Sequence, residues 1–148
     1  MATKTHGSCE ELYRREIAEV WSADDLDVVD ELYAPEFRSG TMRAGGDPAP
    51  LGDREAIKGM HAEWDHAFPG METEILALVS DGDTVVAHWR ATGTQEGEFR
   101  GIEPTGKPIE VTGFSYRKAR DGQFVEATDQ AGMMAMLSQL GVEIPLQG

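Results

Sequence analysis

The chain has 148 residues, 27 of them acidic against 13 lysines and arginines, for a formal charge of −14. That length suits one domain, residues 1–148, large enough for a core without disulfides or structural metal. The charge argues against a nucleic-acid binder and against docking on an anionic membrane surface, and the single Cys9 excludes a disulfide framework or a multi-cysteine zinc site.

Residues 1–7 read as a flexible polar N-terminus without a signal-peptide stretch, and no apolar run is long enough to span a membrane. A cytoplasmic protein is therefore expected. Only four lysines stand beside nine arginines and sixteen glutamates. That balance suits either a high-salt, halophilic cytoplasm, where screening relieves self-repulsion, or an ordinary acidic protein kept soluble by its charge.

Ser8-Cys9-Glu10-Glu11 fits a capping box, and Tyr13, Ile17, Val20 and Trp21 follow at helical spacing, so 9–22 is predicted to be an amphipathic helix. Leu26, Val29, Leu32 and Tyr33 predict a second helix over 25–33, ended by Ala34-Pro35. A short extended piece is expected at 36–42. Gly and Pro accumulate between 39 and 52, which suits a loop that is either an active-site rim or a mobile excursion. Asp53 caps a third helix whose apolar face is Ala56, Ile57, Met60, Trp64 and Phe68. The period then changes. Met71–Val79, Thr84–Phe99, Ile109–Arg117 and Gln123–Asp129 read as strands, and a last helix is expected over 131–139. Helices first and antiparallel strands afterwards predict an α+β fold with helices on one face of a curved sheet.

Several chemistries lack their motifs. There is no Gly-rich phosphate loop and no nucleophile elbow. His61 and His66 are five apart, on different sides of a helix, and cannot share a metal. His61 and Asp65 share a face, as solvated surface or, less simply, as metal ligands. Cys9 sits in a first helical turn without a paired base and reads as silent.

The last hairpin carries more. A three-residue turn at Arg120-Asp121-Gly122 would pair Ser115 with Ala127 and Gly113 with Asp129. Ser115 and Asp129 would then be diagonal neighbours beside the small residues Gly113 and Ala127. In an apolar cavity Asp129 would be equipped for proton transfer; otherwise it caps the last helix. His88 is the other candidate, either in a pocket or at a dimer surface. Trp64, Phe68 and Met60 are most simply core.

Gly93-Thr94-Gln95-Glu96-Gly97-Glu98-Phe99, followed by Gly101-Ile102-Glu103-Pro104-Thr105-Gly106-Lys107, resembles a characteristic stretch of the SnoaL-like polyketide (ester) cyclases. Asp121-Gly122-Gln123-Phe124-Val125-Glu126 and Gln139-Leu140-Gly141 resemble that family's ending. The resemblance runs from about Glu11 to Gly141. It implies a cone-shaped α+β barrel of the nuclear-transport-factor-2-like fold, and a cofactor-free intramolecular aldol condensation of an ester. The family's acid/base aspartate lies seven residues after the turn glycine, which is Asp129 here. Its histidine seven residues before that glycine is replaced by Ser115, and the histidine of its first stretch by Gln95.

The expected protein is thus a cofactor-independent enzyme acting on a small, largely apolar carbonyl compound, with no metal required. Asp129 would abstract an α-proton, with His88, Ser115 or Tyr33 as donors to the enolate, and Trp64 and Met60 would complete the substrate pocket. A non-catalytic pocket for a small hydrophobic ligand is the alternative. A hydrolase or isomerase of the same fold is a third reading, with Arg90 and Asp129 supplying part of an Asp-Arg-Asp relay. Phe114, Tyr116 and Phe124 are expected on the face opposite Asp129, buried in a homodimer.

Overall fold

Ser8 opens the first helix as its capping box predicts: Ser8 Oγ accepts from the Glu11 amide and Glu11 Oε1 accepts from Ser8 N, both at 3.1 Å. These positions come from a computed structural model that describes residues 8–40 and 51–143. The N-terminal residues 1–7, expected as flexible, and 41–50 of the Gly- and Pro-rich loop lie outside the described residues. Helix α1 spans Cys9–Arg15, after which the turns widen into a π-helix over Glu16–Ser22. In an α-helix, positions five apart lie about 140° apart around the axis. The wider π turn brings them together, and Trp21 Nε1 donates to Glu16 Oε2 at 3.0 Å.

Helix α2 (Asp27–Leu32) stops where Pro35 begins to disfavour helical backbone, and β1 (Tyr33–Ser39) follows without a loop, earlier than the sequence suggests. A short strand, β2 (Leu51–Asp53), stands at the end of the stretch expected as loop. Asp53 caps α3 (Arg54–Ala67) by accepting from the Ala56 amide at 2.9 Å. Strands β3 (Glu72–Asp81), β4 (Thr84–Thr94), β5 (Pro108–Arg120) and β6 (Gln123–Ala131) precede α4 (Met133–Gln139). Beyond β4, Gln95 is fully buried and pins the 95–106 connection. Its Nε2 donates to the Gly97 and Ile102 carbonyls, and its Oε1 accepts from Thr105 N and Oγ1.

The six strands form one sheet in the order β2-β1-β6-β5-β4-β3. Two expectations are corrected here. The sheet is mixed, because β1 runs parallel to β6. Among the described residues it is also open, since β2 and β3 are its edges and no ladder joins them into a barrel.

The helices cover one face. Tyr13, Val20, Val29, Leu32, Tyr33, Phe37, Val85 and Phe124 pack one half of the core, while Phe68, Phe99, Ile109, Val111, Met136 and Leu140 pack the other. The opposite face is uncovered among the described residues: Val79 is 70%, Phe114 57% and Val86 44% exposed.

The β5–β6 hairpin differs from its predicted register. Asp121 and Gly122 both have positive φ (53° and 79°), so the turn has two residues and Arg120 pairs with Gln123. The register then shifts at Val125, which is extra on β6, so that Ala119 faces Phe124 while Lys118 faces Glu126. The bulge turns Phe124 into the core, where it is fully buried, rather than onto the outer face with Phe114.

Candidate active site

Asp129 lies inside β6 directly opposite Ser115, not diagonal to it and not at the cap of α4, which is Gly132. Alternation along β5 places Val111, Gly113, Ser115, Arg117 and Ala119 on the core face, and all five are buried. Ser115 Oγ donates to Asp129 Oδ1 at 2.5 Å. Arg117 grips the same carboxylate from the next inward position, with Nη1 3.1 Å from Oδ1 and Nη2 donating to Oδ2 at 3.1 Å. The Asp129 side chain remains 30% exposed.

Behind Asp129 the arginine meets a second carboxylate. Arg117 Nε donates to Glu16 Oε1 at 3.1 Å, and Nη2 donates to Glu16 Oε2 at 3.2 Å. Glu16 Oε2 also accepts from Tyr33 Oη at 2.9 Å and from Trp21 Nε1 at 3.0 Å. Arg117 and Glu16 are 2% and 1% exposed. The guanidinium carbon lies 5.5, 5.9 and 5.6 Å from the ring centres of Tyr13, Tyr33 and Phe124, close enough for cation–π attraction. Burial works against the Arg117 cation. The Asp129 and Glu16 carboxylates outweigh it and hold the guanidinium proton well above its ordinary range. Burial also pushes the Tyr13 hydroxyl up to about 12 and the Tyr33 hydroxyl well above its usual value.

Asp129 and Ser115 are therefore brought together as expected, but the other predicted residues are not. His88 is on the opposite face of the sheet, stacked on Phe114 with ring centres 4.6 Å apart. Strand alternation alone separates it from Asp129. Arg90 is on that face too and pairs with Glu74, so the arginine of the site is Arg117. Tyr33 lies behind Arg117, with its hydroxyl committed to Glu16. Met60 packs at the margin of the first core cluster.

Trp64 packs on Phe68 and Phe99. It borders a hollow of about 20 Å³ that Trp21, Asp24, His61 and Asp65 also line. There His61 Nε2 lies 2.9 Å from Asp24 Oδ1, a partner the helical spacing of His61 and Asp65 does not reveal. A shallow groove of about 620 Å³ runs between Glu72, Glu96, Glu110 and Gln139. Neither hollow reaches Asp129.

The room expected over Gly113 is taken: a Cβ there would overlap the Trp89 indole and the Gln130 carbonyl. Among the described residues, the side chains bonded to Asp129 are a cation and a hydroxyl. Cys9 Sγ donates to the Arg117 carbonyl at 3.6 Å, and burial pushes its thiol up to about 11, which suits a silent residue. Among the described residues no cluster of three or more His, Cys, Asp or Glu could hold a metal ion, and no helix is long and apolar enough to cross a membrane.

Two residues of the site escaped the sequence reading, although both carry a signal. Glu16 is three positions after Tyr13 and four before Val20, hence on the apolar face of its helix. Arg117 alternates with Ser115 and Gly113.

An open α+β sheet layered with helices is the architecture of the nuclear-transport-factor-2-like class. A hypothetical protein from Catenulispora acidiphila, described as having a ketosteroid isomerase-like fold, is similar (17% identity, TM-score 0.70, covering 90% of this chain and 94% of that one). The chain belongs to the SnoaL-like polyketide cyclase family, which matches residues 11–140. IdmH from Streptomyces antibioticus, described as a putative polyketide cyclase, is 31% identical with a TM-score of 0.78, over 92% of this chain and 100% of that one. A SnoaL-like protein from Jannaschia sp. CCS1 is 25% identical with a TM-score of 0.79, over 97% and 99%. No curated protein matches.

Proposed function

We propose that the protein is a cofactor-independent acid/base enzyme, cyclase-like, in which Asp129 removes a proton α to a carbonyl of a small, largely apolar substrate. The observation that carries this reading is the way Asp129 is held. Its Oδ1 accepts from Ser115 and lies 3.1 Å from Arg117 Nη1, and its Oδ2 accepts from Arg117 Nη2, on a side chain that is 30% exposed. A base fixed from three sides is positioned before the substrate arrives, and that fixation lowers the barrier through proximity and orientation.

With Ser115 in place of an imidazole, the carboxyl that takes the α-proton also returns it to the product oxygen. The hydroxyls of Ser115 and Tyr33 are committed to Asp129 and Glu16, and His88 faces away. The developing enolate is then stabilised by conjugation within the substrate. The test is hydrogen–deuterium exchange at the α-carbon of a panel of β-ketoesters in heavy water. The wild type accelerates exchange in at least one, and Asp129→Asn slows it by about 10²–10⁴. Equal rates would overturn the assignment.

Glu16–Arg117–Asp129 favours a second reading. Two carboxylates bridged by an arginine also suit the orientation of an attacking water, as a hydrolase of this fold would require. Incorporation of labelled water oxygen into product separates hydrolysis from cyclisation. Recovery of an unaltered ligand in native mass spectrometry would point to binding alone.

The same proposal includes a homodimer. The uncovered face carries Val79, Val86 and Phe114 in adjacent strands, with His88 lying on Phe114. Partners are a small hydrophobic molecule and a second copy of the chain.

A further inference from the structure

An arginine bonded through two nitrogens to a carboxylate ordinarily makes that carboxylate a poor base, because proton transfer to it would break the pair. Here the arginine is shared. Arg117 Nη2 lies 3.1 Å from Asp129 Oδ2 and 3.2 Å from Glu16 Oε2. Two further titratable groups sense the Asp129 charge, Tyr13 from α1 and Tyr33 from β1. Burial keeps both hydroxyls protonated at neutral pH. Among the described residues, the ion pairs that reach Asp129 thus join one cation, Arg117, and one further anion, Glu16.

We infer that Glu16 is a positioning residue for Asp129: it cancels the Arg117 charge while holding the guanidinium in place, so that Asp129 is fixed by an arginine and still accepts a proton. The π-helical turn supports this role. By bringing Trp21 onto Glu16 beside Tyr33, it supplies neutral donors to Glu16 Oε2, so that a carboxylate 1% exposed stays hydrogen-bonded without a second cation. The inference rests on Asp129 being the base, and it names the residue that keeps it one.

Carbon-13 NMR titration of the Asp129 carboxyl, on protein alone, reads the effect without a substrate. The two carboxylates lie within about 6 Å of each other, where removing one charge shifts the titration of the other by about one to two pH units. Glu16→Gln keeps the shape and loses the charge, so the Asp129 midpoint moves down by that amount. Glu16→Asp, which keeps the charge, moves it by less than half as much.

Tyr33→Phe provides a variant that leaves all three charged groups in place, and it decides the matter if Glu16→Gln does not fold. Removal of the Tyr33 hydroxyl unmasks the Glu16 charge, and the midpoint rises. A midpoint unmoved in Glu16→Gln, or falling in Tyr33→Phe, overturns the inference. Failure of the base assignment is distinguishable: Asp129→Asn would then retain exchange activity while the titration shifts stand.

Discussion

Arg117 and Glu16 form an ion pair between residues 101 positions apart, with side chains 3% and 1% exposed. Its members face each other from β5 and from the π-helical turn. Among the described residues, Asp129 meets its cation through this pair, so the site and the core share one set of interactions.

Removing the arginine should therefore cost stability as well as activity. Arg117→Met leaves Glu16 buried without its cation, and loss of one partner of a buried pair destabilises by about 3–5 kcal/mol. Urea unfolding should show that loss, with part of it recovered in the double variant Arg117→Met/Glu16→Gln. A single variant as stable as wild type would mean that the pair is solvated.

Ser115→Ala tests the hydroxyl alone. A hydrogen bond to a charged group is worth about 1.5–3 kcal/mol, and Arg117 still holds the carboxylate after its loss. The fold should persist, and exchange activity should drop by about tenfold or more. An unchanged rate would show that Ser115 only fills space.

The tyrosines give a pH prediction with a definite sign. Burial raises the Tyr13 hydroxyl to about 12, raises Tyr33 well above its ordinary 10, and also raises Tyr116. Burial raises the Cys9 thiol from 9.0 to about 11. Each group is protonated in the folded chain over a range where the unfolded chain has already released its proton. Their stabilisation is thus complete below pH 9 and is lost as pH climbs through about 11 and 12. Tyrosinate absorbance from Tyr13 and Tyr33 should emerge together with loss of circular dichroism, in one step above pH 10. Ionisation of all three tyrosines near pH 10 in the folded protein would contradict the burial of Tyr13 and Tyr33.

Phe114→Glu addresses the uncovered sheet face. A charge at a position 57% exposed leaves the protomer folded but opposes pairing of that face with a second copy. Light scattering should show the mass halved, with Asp129-dependent exchange retained per chain. An undiminished dimer would place the interface elsewhere; a monomeric wild type would remove it.

Much of this molecule is legible in local pattern. The capping box at Ser8, the Asp53 cap and the change from helical to strand period near Met71 each rest on contacts within a few residues, and each stands where the sequence places it. Asp129 as the inward carboxylate of the last strand follows from alternation and from the family resemblance together. His88 fails for a local reason: alternation puts it opposite Trp89 and Ala91 along β4 but does not say which set faces the helices.

What the sequence by itself determined is the kind and order of the elements, the family, and Ser115 and Asp129 as residues of one hairpin. Only the tertiary structure decided which side chains meet there. One extra residue at Val125 exchanges the faces of β6 and seats Phe124 in the core, and one widened helical turn brings Trp21 onto Glu16. Side-chain direction in a strand has a period of two residues, so a one-residue change of register reverses it. That register is set by packing between segments as far apart as Glu16 and Arg117, which no local window of the chain contains.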